Sequence, residues 1–213
     1  NKKSGRAAGC RLYLISPPQV GPDFSDQVAA VLADNDVACL QLRLKDTGDD
    51  AVLRMAETLL PITQKADTVL LINDRPDLAA KAGADGVHIG QSDATYEDAR
   101  AAVGDDAIVG VTCHDSRHFA MEAAERGADY VAFGAFFDTP TKPPEFRADI
   151  ELLEWWCSIF EIPCVTIGGI TAQNCAPLVS ARADFLAVVS AVWDHPDGPV
   201  AGARAINVAI AAV

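Results

Sequence analysis

Three long polar side chains stand at alternate positions in the segment QLRLKD: Gln41, Arg43 and Lys45. In an extended segment, alternation turns all three to one side. Arginine presents a planar fork that fits phosphate oxygens and lysine a mobile point charge, so the trio reads as an anion clamp. The plainer reading is that two cations snorkel from a strand end into water. Two other segments, LLIND and GVHIGQSD, pass from an apolar run into polar residues and reach a carboxylate, Asp74 and Asp93. Taken singly, each aspartate reads best as the cap of the helix that follows it. Taken together, two carboxylates at close range need a positive charge between them or a shared proton. Magnesium meets that need, because it takes one or two protein carboxylates and fills its remaining positions with water and phosphate oxygens. With Asn73 and Gln91 beside the aspartates and cations on the preceding strand, metal-bound diphosphate becomes the better joint reading.

Further polar groups follow later apolar runs. The segment DTPTKPP carries Thr139, Thr141 and Lys142, two hydroxyls and a third cation, although a Pro-rich surface loop has the same composition. Gly168 and Gly169 in IGGI would let backbone N–H groups approach an anion at a helix start, before TAQNC. The run AVVS ends in Ser190, and GVTCH ends in Thr112 and His114. His114 has two readings, a general base or a hydrogen-bonded structural group.

These residues share one property: each lies at the exit of a strand-like run. The runs are 12–16, 39–44, 68–73, 86–90, 108–113, 130–136, 164–169 and 185–190. Several are apolar throughout, as strands covered on both faces are. Helix-like stretches separate them. SDQVAAVLADND has its apolar residues at helical spacing, SRHFAMEAAERG closes on the capping glycine Gly127, and IELLEWWCSIF should pack at least one tryptophan inward. Four times an alanine-rich stretch gives way to an aspartate just before a strand: NDVACL, GADGVHI, GADYVAF and ARADFLAV. Eight strand–helix units predict one α/β domain, a (β/α)8 TIM barrel over residues 12–213, with 1–11 as a loose basic tail. An open doubly wound sheet would show a glycine-rich turn after the first strand, and SPPQVGPD is not one. In such a barrel, chemistry sits where the strands end, which is where the polar residues fall.

The net charge of −13 argues against nucleic acid or an anionic membrane as partner. It leaves room for a small anion held by a few focused cations. No apolar run approaches the length that spans a bilayer, and no long apolar stretch follows the basic start as in a signal peptide. The six cysteines (Cys10, Cys39, Cys113, Cys157, Cys164, Cys175) show no CxxC pair. They read as reduced structural thiols of a cytoplasmic protein.

In order along the chain, QLRLK, IND, GQSD, GVTCH, TPTK, IGGI and AVVS resemble the thiamine-phosphate synthase family, over about residues 12–193. GQxD with IND and TxTK are the specific part; IGGI alone is common to many phosphate-binding barrels. The resemblance implies a transferase that joins hydroxymethylpyrimidine diphosphate to a thiazole phosphate, with loss of diphosphate. By motif, Gln41, Arg43, Lys45 and Asn73 would hold the pyrimidine diphosphate, and Asp74 and Asp93 would bind Mg2+. Thr112 would contact the leaving diphosphate, and Thr139, Thr141 and Lys142 would grip phosphate from the loop. Gly169, Val189 and Ser190 would hold the thiazole phosphate. Arg43, Lys45 and Lys142 would neutralise charge at the leaving group, the part of the chemistry that most needs help. The chain departs from the family at Leu44, where an acidic residue is common, at Thr112 for serine, and at Ala135 for proline. Two alternatives stand beside this one: a thiazole tautomerase of the same barrel type, and a non-catalytic binder of phosphorylated ligands. Small phosphorylated molecules are the expected partners, with a homodimer compatible.

Overall fold

The computed structural model describes residues 9–139 and 145–213. Strands form at β1 (Arg11–Ile15), β2 (Val37–Leu42), β3 (Val69–Asn73) and β4 (Gly86–Ile89). They continue with β5 (Ile108–His114), β6 (Tyr130–Gly134), β7 (Cys164–Ile167) and β8 (Phe185–Val188). Each pairs in parallel with the next, and β1 closes on β8. The chain is a (β/α)8 barrel, with all eight expected strands in place to within two residues at either end.

The outer ring begins with α1 (Phe24–Asp34), α2 (Asp49–Lys65), α3 (Pro76–Ala82) and α4 (Tyr96–Val103). It continues with α5 (Arg117–Arg126), α6 (Ile150–Ile159) and α7 (Ala176–Ser180), and past β8 come α8 (Ser190–Trp193) and α9 (Pro199–Ala211). Local chemistry sets several helix ends. Thr95, Ser116 and Asp149 cap α4, α5 and α6 with side-chain oxygens, and Gly127 closes α5 in the left-handed conformation. Trp156 on α6 is wholly buried, stacked on Phe160 with ring centroids 4.1 Å apart.

Strand alternation divides the core in two. Leu12, Leu14, Leu40, Leu42, Leu70 and Ile72 face the helices, while Tyr13, Ile15, Cys39, Leu71, Tyr130, Ala132, Val165 and Ala187 fill the barrel. Both sets are buried, so the strands read as continuous apolar runs. One interior position is glycine for lack of room: a Cβ on Gly110 would lie 1.9 Å from Cζ of the Tyr130 ring. That absence admits the phenol to the barrel axis.

The recurring aspartates stitch the end of the barrel where the strands begin. Asp85, before β4, accepts from the Leu70 amide at 2.8 Å, and Asp129, before β6, from the Val109 amide at 2.9 Å. Asp184, before β8, accepts from the Cys164 amide at 2.9 Å. In all three the aspartate's own amide donates back to the same residue's carbonyl. Asp36, before β2, takes the Arg11 guanidinium instead, at 2.6 Å. The sequence repeat is therefore a repeated clasp between strands 1–2, 3–4, 5–6 and 7–8.

Candidate active site

At the opposite end, where the strands finish, a cavity of about 560 Å³ opens. Its wall includes Gln41, Arg43, Lys45, Asn73, Asp74, Asp93, Thr112 and His114. Seven of the residues singled out as substrate or metal contacts, contributed by β2, β3, the β4 exit and β5, thus share one space.

The clamp is held by the neighbouring strand exit. Strand β2 stops at Leu42, two residues short of the expected end, and the chain beyond it is tied to the β1 exit. The Arg43 amide donates to Ser16 Oγ at 2.8 Å and the Lys45 amide to the Pro18 carbonyl at 2.9 Å. The alternation survives this change, and all three side chains still face the cavity.

Neither rim aspartate caps a helix. The N-terminal flank of α3 is Arg75, with no side-chain cap, and that of α4 is Thr95. The capping alternative is thereby removed for both. Asp74 sits in the left-handed region at φ 63°, its amide donating to the His88 carbonyl at 2.8 Å. An aspartate tolerates this conformation at modest cost, and such residues gather where function constrains the backbone. Lys45 Nζ donates to Asp74 Oδ2 at 2.6 Å, while Asp93 Oδ2 accepts from the Gly90 amide at 2.8 Å. The two carboxylates lie close enough to act on one another, and their proton affinities shift in opposite directions. Burial pushes Asp74 up, but the Lys45 ammonium, the Asp93 contact and Arg43 outweigh it and hold it below the ordinary carboxylate range. Asp93, though exposed at the rim, is raised by partial loss of solvent around its carboxylate and then by Asp74. Such a pair attracts a cation.

The floor of the cavity is a hydrogen-bonded polar chain that spacing alone does not single out. Gln41 Nε2 donates to Tyr13 Oη at 2.7 Å, and Tyr13 Oη lies 2.9 Å from Tyr130 Oη. Tyr130 Oη lies 2.7 Å from His88 Nδ1, and His88 Nε2 lies 2.8 Å from Thr112 Oγ1. The Thr112 carbonyl accepts from the Gln91 side chain. Burial pushes His88 down to about 4, against the pull of Asp74, so the ring is neutral near pH 7. The only sequence signal for these residues is parity: Tyr13, Tyr130 and His88 occupy inward positions of strands that otherwise read as apolar.

His114 lines the cavity, also at positive φ (53°), and stacks on Phe146 with centroids 4.2 Å apart. Burial lowers its basicity. Phe146 and Glu145 complete that wall.

The remaining residues fall elsewhere. Thr141 and Lys142 lie outside the described residues. Thr139, Gly169, Val189 and Ser190 are not part of the cavity wall. Gly168 and Gly169, at φ 102° and 63°, do not stand at a helix start as expected, since α7 begins only at Ala176. Asn174 holds the intervening turn, accepting from the Thr171 amide at 2.8 Å and donating to the Gly169 carbonyl at 2.9 Å. The glycines admit the β6 exit instead: a Cβ on Gly169 would lie 2.3 Å from the Asp138 carbonyl oxygen. Strand β8 runs straight into α8, with Val189 flanking it and Ser190 as its first residue. Among the described residues no three His, Cys, Asp or Glu cluster as a metal cage, and no helix is long and apolar enough to cross a membrane.

A closed parallel barrel with cations and paired carboxylates at the strand exits defines a (β/α)8 protein built to receive a phosphorylated small molecule. A profile of the family described as "Thiamine monophosphate synthase" matches residues 12–192, and the chain belongs to that family. It is 59% identical over 199 residues to the thiamine-phosphate synthase of Rhodospirillum centenum, covering 93% of this chain and 96% of that protein. The thiamine-phosphate synthase of Hyphomonas neptunium is 51% identical, with 92% of each chain covered. Among solved structures, thiamine phosphate pyrophosphorylase from Pyrococcus furiosus superposes with a TM-score of 0.83 at 27% identity, covering 95% of this chain and 96% of that one. A 3-hexulose-6-phosphate synthase, at 20% identity and TM-score 0.65, shares the fold.

Proposed function

We infer that the chain is a transferase that joins hydroxymethylpyrimidine diphosphate to hydroxyethylthiazole phosphate, releasing diphosphate and forming thiamine phosphate. The observation that carries this is the convergence of Asp74 and Asp93 on one rim, with Lys45 on Asp74 and Arg43 in the same cavity. Family membership and the names of the closely similar relatives support it.

The thiazole nitrogen supplies its lone pair to the pyrimidine's methylene carbon, and the C–O bonding electrons leave with diphosphate. The nucleophile has no proton to lose, so the step needs no strong base. It needs the departing negative charge to be met. Arg43 provides a fork for phosphate oxygens and Lys45 a mobile ammonium, and Thr112 offers a hydroxyl. Lys142 is assigned to the same task with Thr139 and Thr141. Gly169, Val189 and Ser190 are assigned to the thiazole phosphate. His114, its ring held against Phe146 and its basicity lowered, is left without a proton to take.

Magnesium suits the donor set. Asp74 and Asp93 offer two hard oxygen ligands with opposed proton affinities, and substrate oxygens and water would complete the shell. When bound, the ion supplies Lewis-acid neutralisation of the diphosphate. A thiazole tautomerase would leave this paired-carboxylate arrangement without a role.

We place the protein in the cytoplasm on the absence of a CxxC pair among its six cysteines and on the burial of Cys39, Cys113, Cys157 and Cys164 in the strand and helix layers of the barrel, where they pack as small apolar groups. Its partners are taken to be the two phosphorylated substrates and, in assembly, a second copy of the chain, with nucleic acid and membranes disfavoured by the −13 charge. The test is incubation with both substrates and magnesium. Thiamine phosphate should form with matching diphosphate. No product, with interconversion of thiazole phosphate isomers instead, would overturn the assignment.

A further inference from the structure

The polar floor of the cavity has a direction. We propose that the chain Gln41–Tyr13–Tyr130–His88 fixes the Thr112 hydroxyl as a hydrogen-bond donor to the departing diphosphate, with His88 as a positioning residue. This rests on the reading of the cavity as a diphosphate site.

Proton counting carries the case. A diphosphate offers acceptors only, so a hydroxyl that contacts it must donate to it. Thr112 has one hydroxyl proton. If that proton goes to phosphate, the 2.8 Å contact with His88 Nε2 requires the ring to donate there. A neutral imidazole carries one N–H, so Nδ1 must then accept. Its partner at 2.7 Å is Tyr130 Oη, which must donate its only proton to the ring. Tyr130 must accept from Tyr13 at 2.9 Å, and Tyr13 must in turn accept from something with a proton to spare. The Gln41 amide nitrogen, 2.7 Å away, is that group.

Every link is short, and the two phenols are buried. The opposite polarity needs Tyr13 to pass its proton on, to a Gln41 amide turned over or to the neighbouring Cys39 sulfur. Thr112 would then spend its proton on the ring and turn a lone pair toward a polyanion. The amide as placed, with Nε2 on Tyr13 Oη, matches the first order instead. The charge of the ligand, which leaves Thr112 only the role of donor, and the placement of the amide thus point to the same order of donors. Gln91, donating to the Thr112 carbonyl, restrains the other end of the residue.

The test reads the proton directly. In 15N-histidine-labelled protein at pH 7 without substrates, the His88 ring, assigned by loss of its signal in His88→Gln, should be neutral and protonated at Nε2. An Nδ1–H tautomer or an imidazolium would overturn the proposal. Kinetics give a second readout. Thr112→Val and His88→Leu should each lower kcat roughly 10- to 100-fold, the range of one lost charge-assisted hydrogen bond, with little change in KM. The double variant should be no slower than the worse single, and Thr112→Ser and His88→Gln should recover most of the rate. Losses that multiply in the double variant would overturn it. A wild-type protein that makes no thiamine phosphate would instead defeat the functional reading, while the tautomer remains decidable without substrate.

Discussion

His88 lies inside the barrel with three hydroxyl groups along its hydrogen-bonded chain, and burial pushes its ring from 6.5 down to about 4. An unfolded chain would bind a proton there below pH 6.5, where the folded one refuses it until about pH 4. The group's contribution is therefore fully present above pH 6.5 and is lost as pH falls toward 4. That loss is about 3 kcal/mol. Urea unfolding of wild type and His88→Gln across pH 7 to 4 should show the stability difference shrinking by that amount, and a difference that does not change with pH would contradict it. At this scale the rim was legible and the floor was not. Gln41, Arg43, Asp74 and Asp93 announce themselves because long or charged groups end apolar runs. Tyr13 and Tyr130 look like ordinary aromatic strand residues, and their hydroxyls gain meaning only when strands far apart in sequence bring them within 2.9 Å.

Among the elements, β5 shows how a missing atom positions a site. Gly110 leaves space for the Tyr130 ring, whose Cζ would stand 1.9 Å from an added Cβ. Gly110→Ala should therefore destabilise the fold by about 3 kcal/mol and lower activity, as overpacking does. Denaturant melts showing unchanged stability would contradict the packing described. The aspartate clasps act at the other end of the strands. Asp129 takes both the Val109 amide and the Arg100 guanidinium, the latter at 2.5 Å and largely sheltered from solvent. Asp129→Ala takes the acceptor from the Val109 amide and the counter-charge from Arg100, and should cost about 2–3 kcal/mol by thermal or chemical melting, with kcat little changed. A loss confined to kcat would place the residue in the site instead. Elements with strong apolar periodicity were legible from sequence, the eight strands most of all. The exit of β7 was not, because IGGI followed by TAQN looks like a helix start. The Asn174 side chain holds that segment as a turn and delays the helix to Ala176.

For the whole molecule, the barrel alone does not decide activity, since a 3-hexulose-6-phosphate synthase shares it at a TM-score of 0.65. What distinguishes this chain is that residues from separate strands meet at one rim, where the cations Arg43 and Lys45 stand beside the paired carboxylates Asp74 and Asp93. Diphosphate release followed against magnesium concentration, in wild type and in Asp93→Ala, reads that convergence most directly. Asp93 is exposed and its backbone contacts are few, so the variant should keep a native circular dichroism spectrum. Wild type should show saturable magnesium dependence, and the variant a fall on the order of 100-fold at limiting magnesium. Turnover in Asp93→Ala equal to wild type at limiting magnesium would contradict the claim that Asp74 and Asp93 together hold the ion that draws off the leaving group's charge.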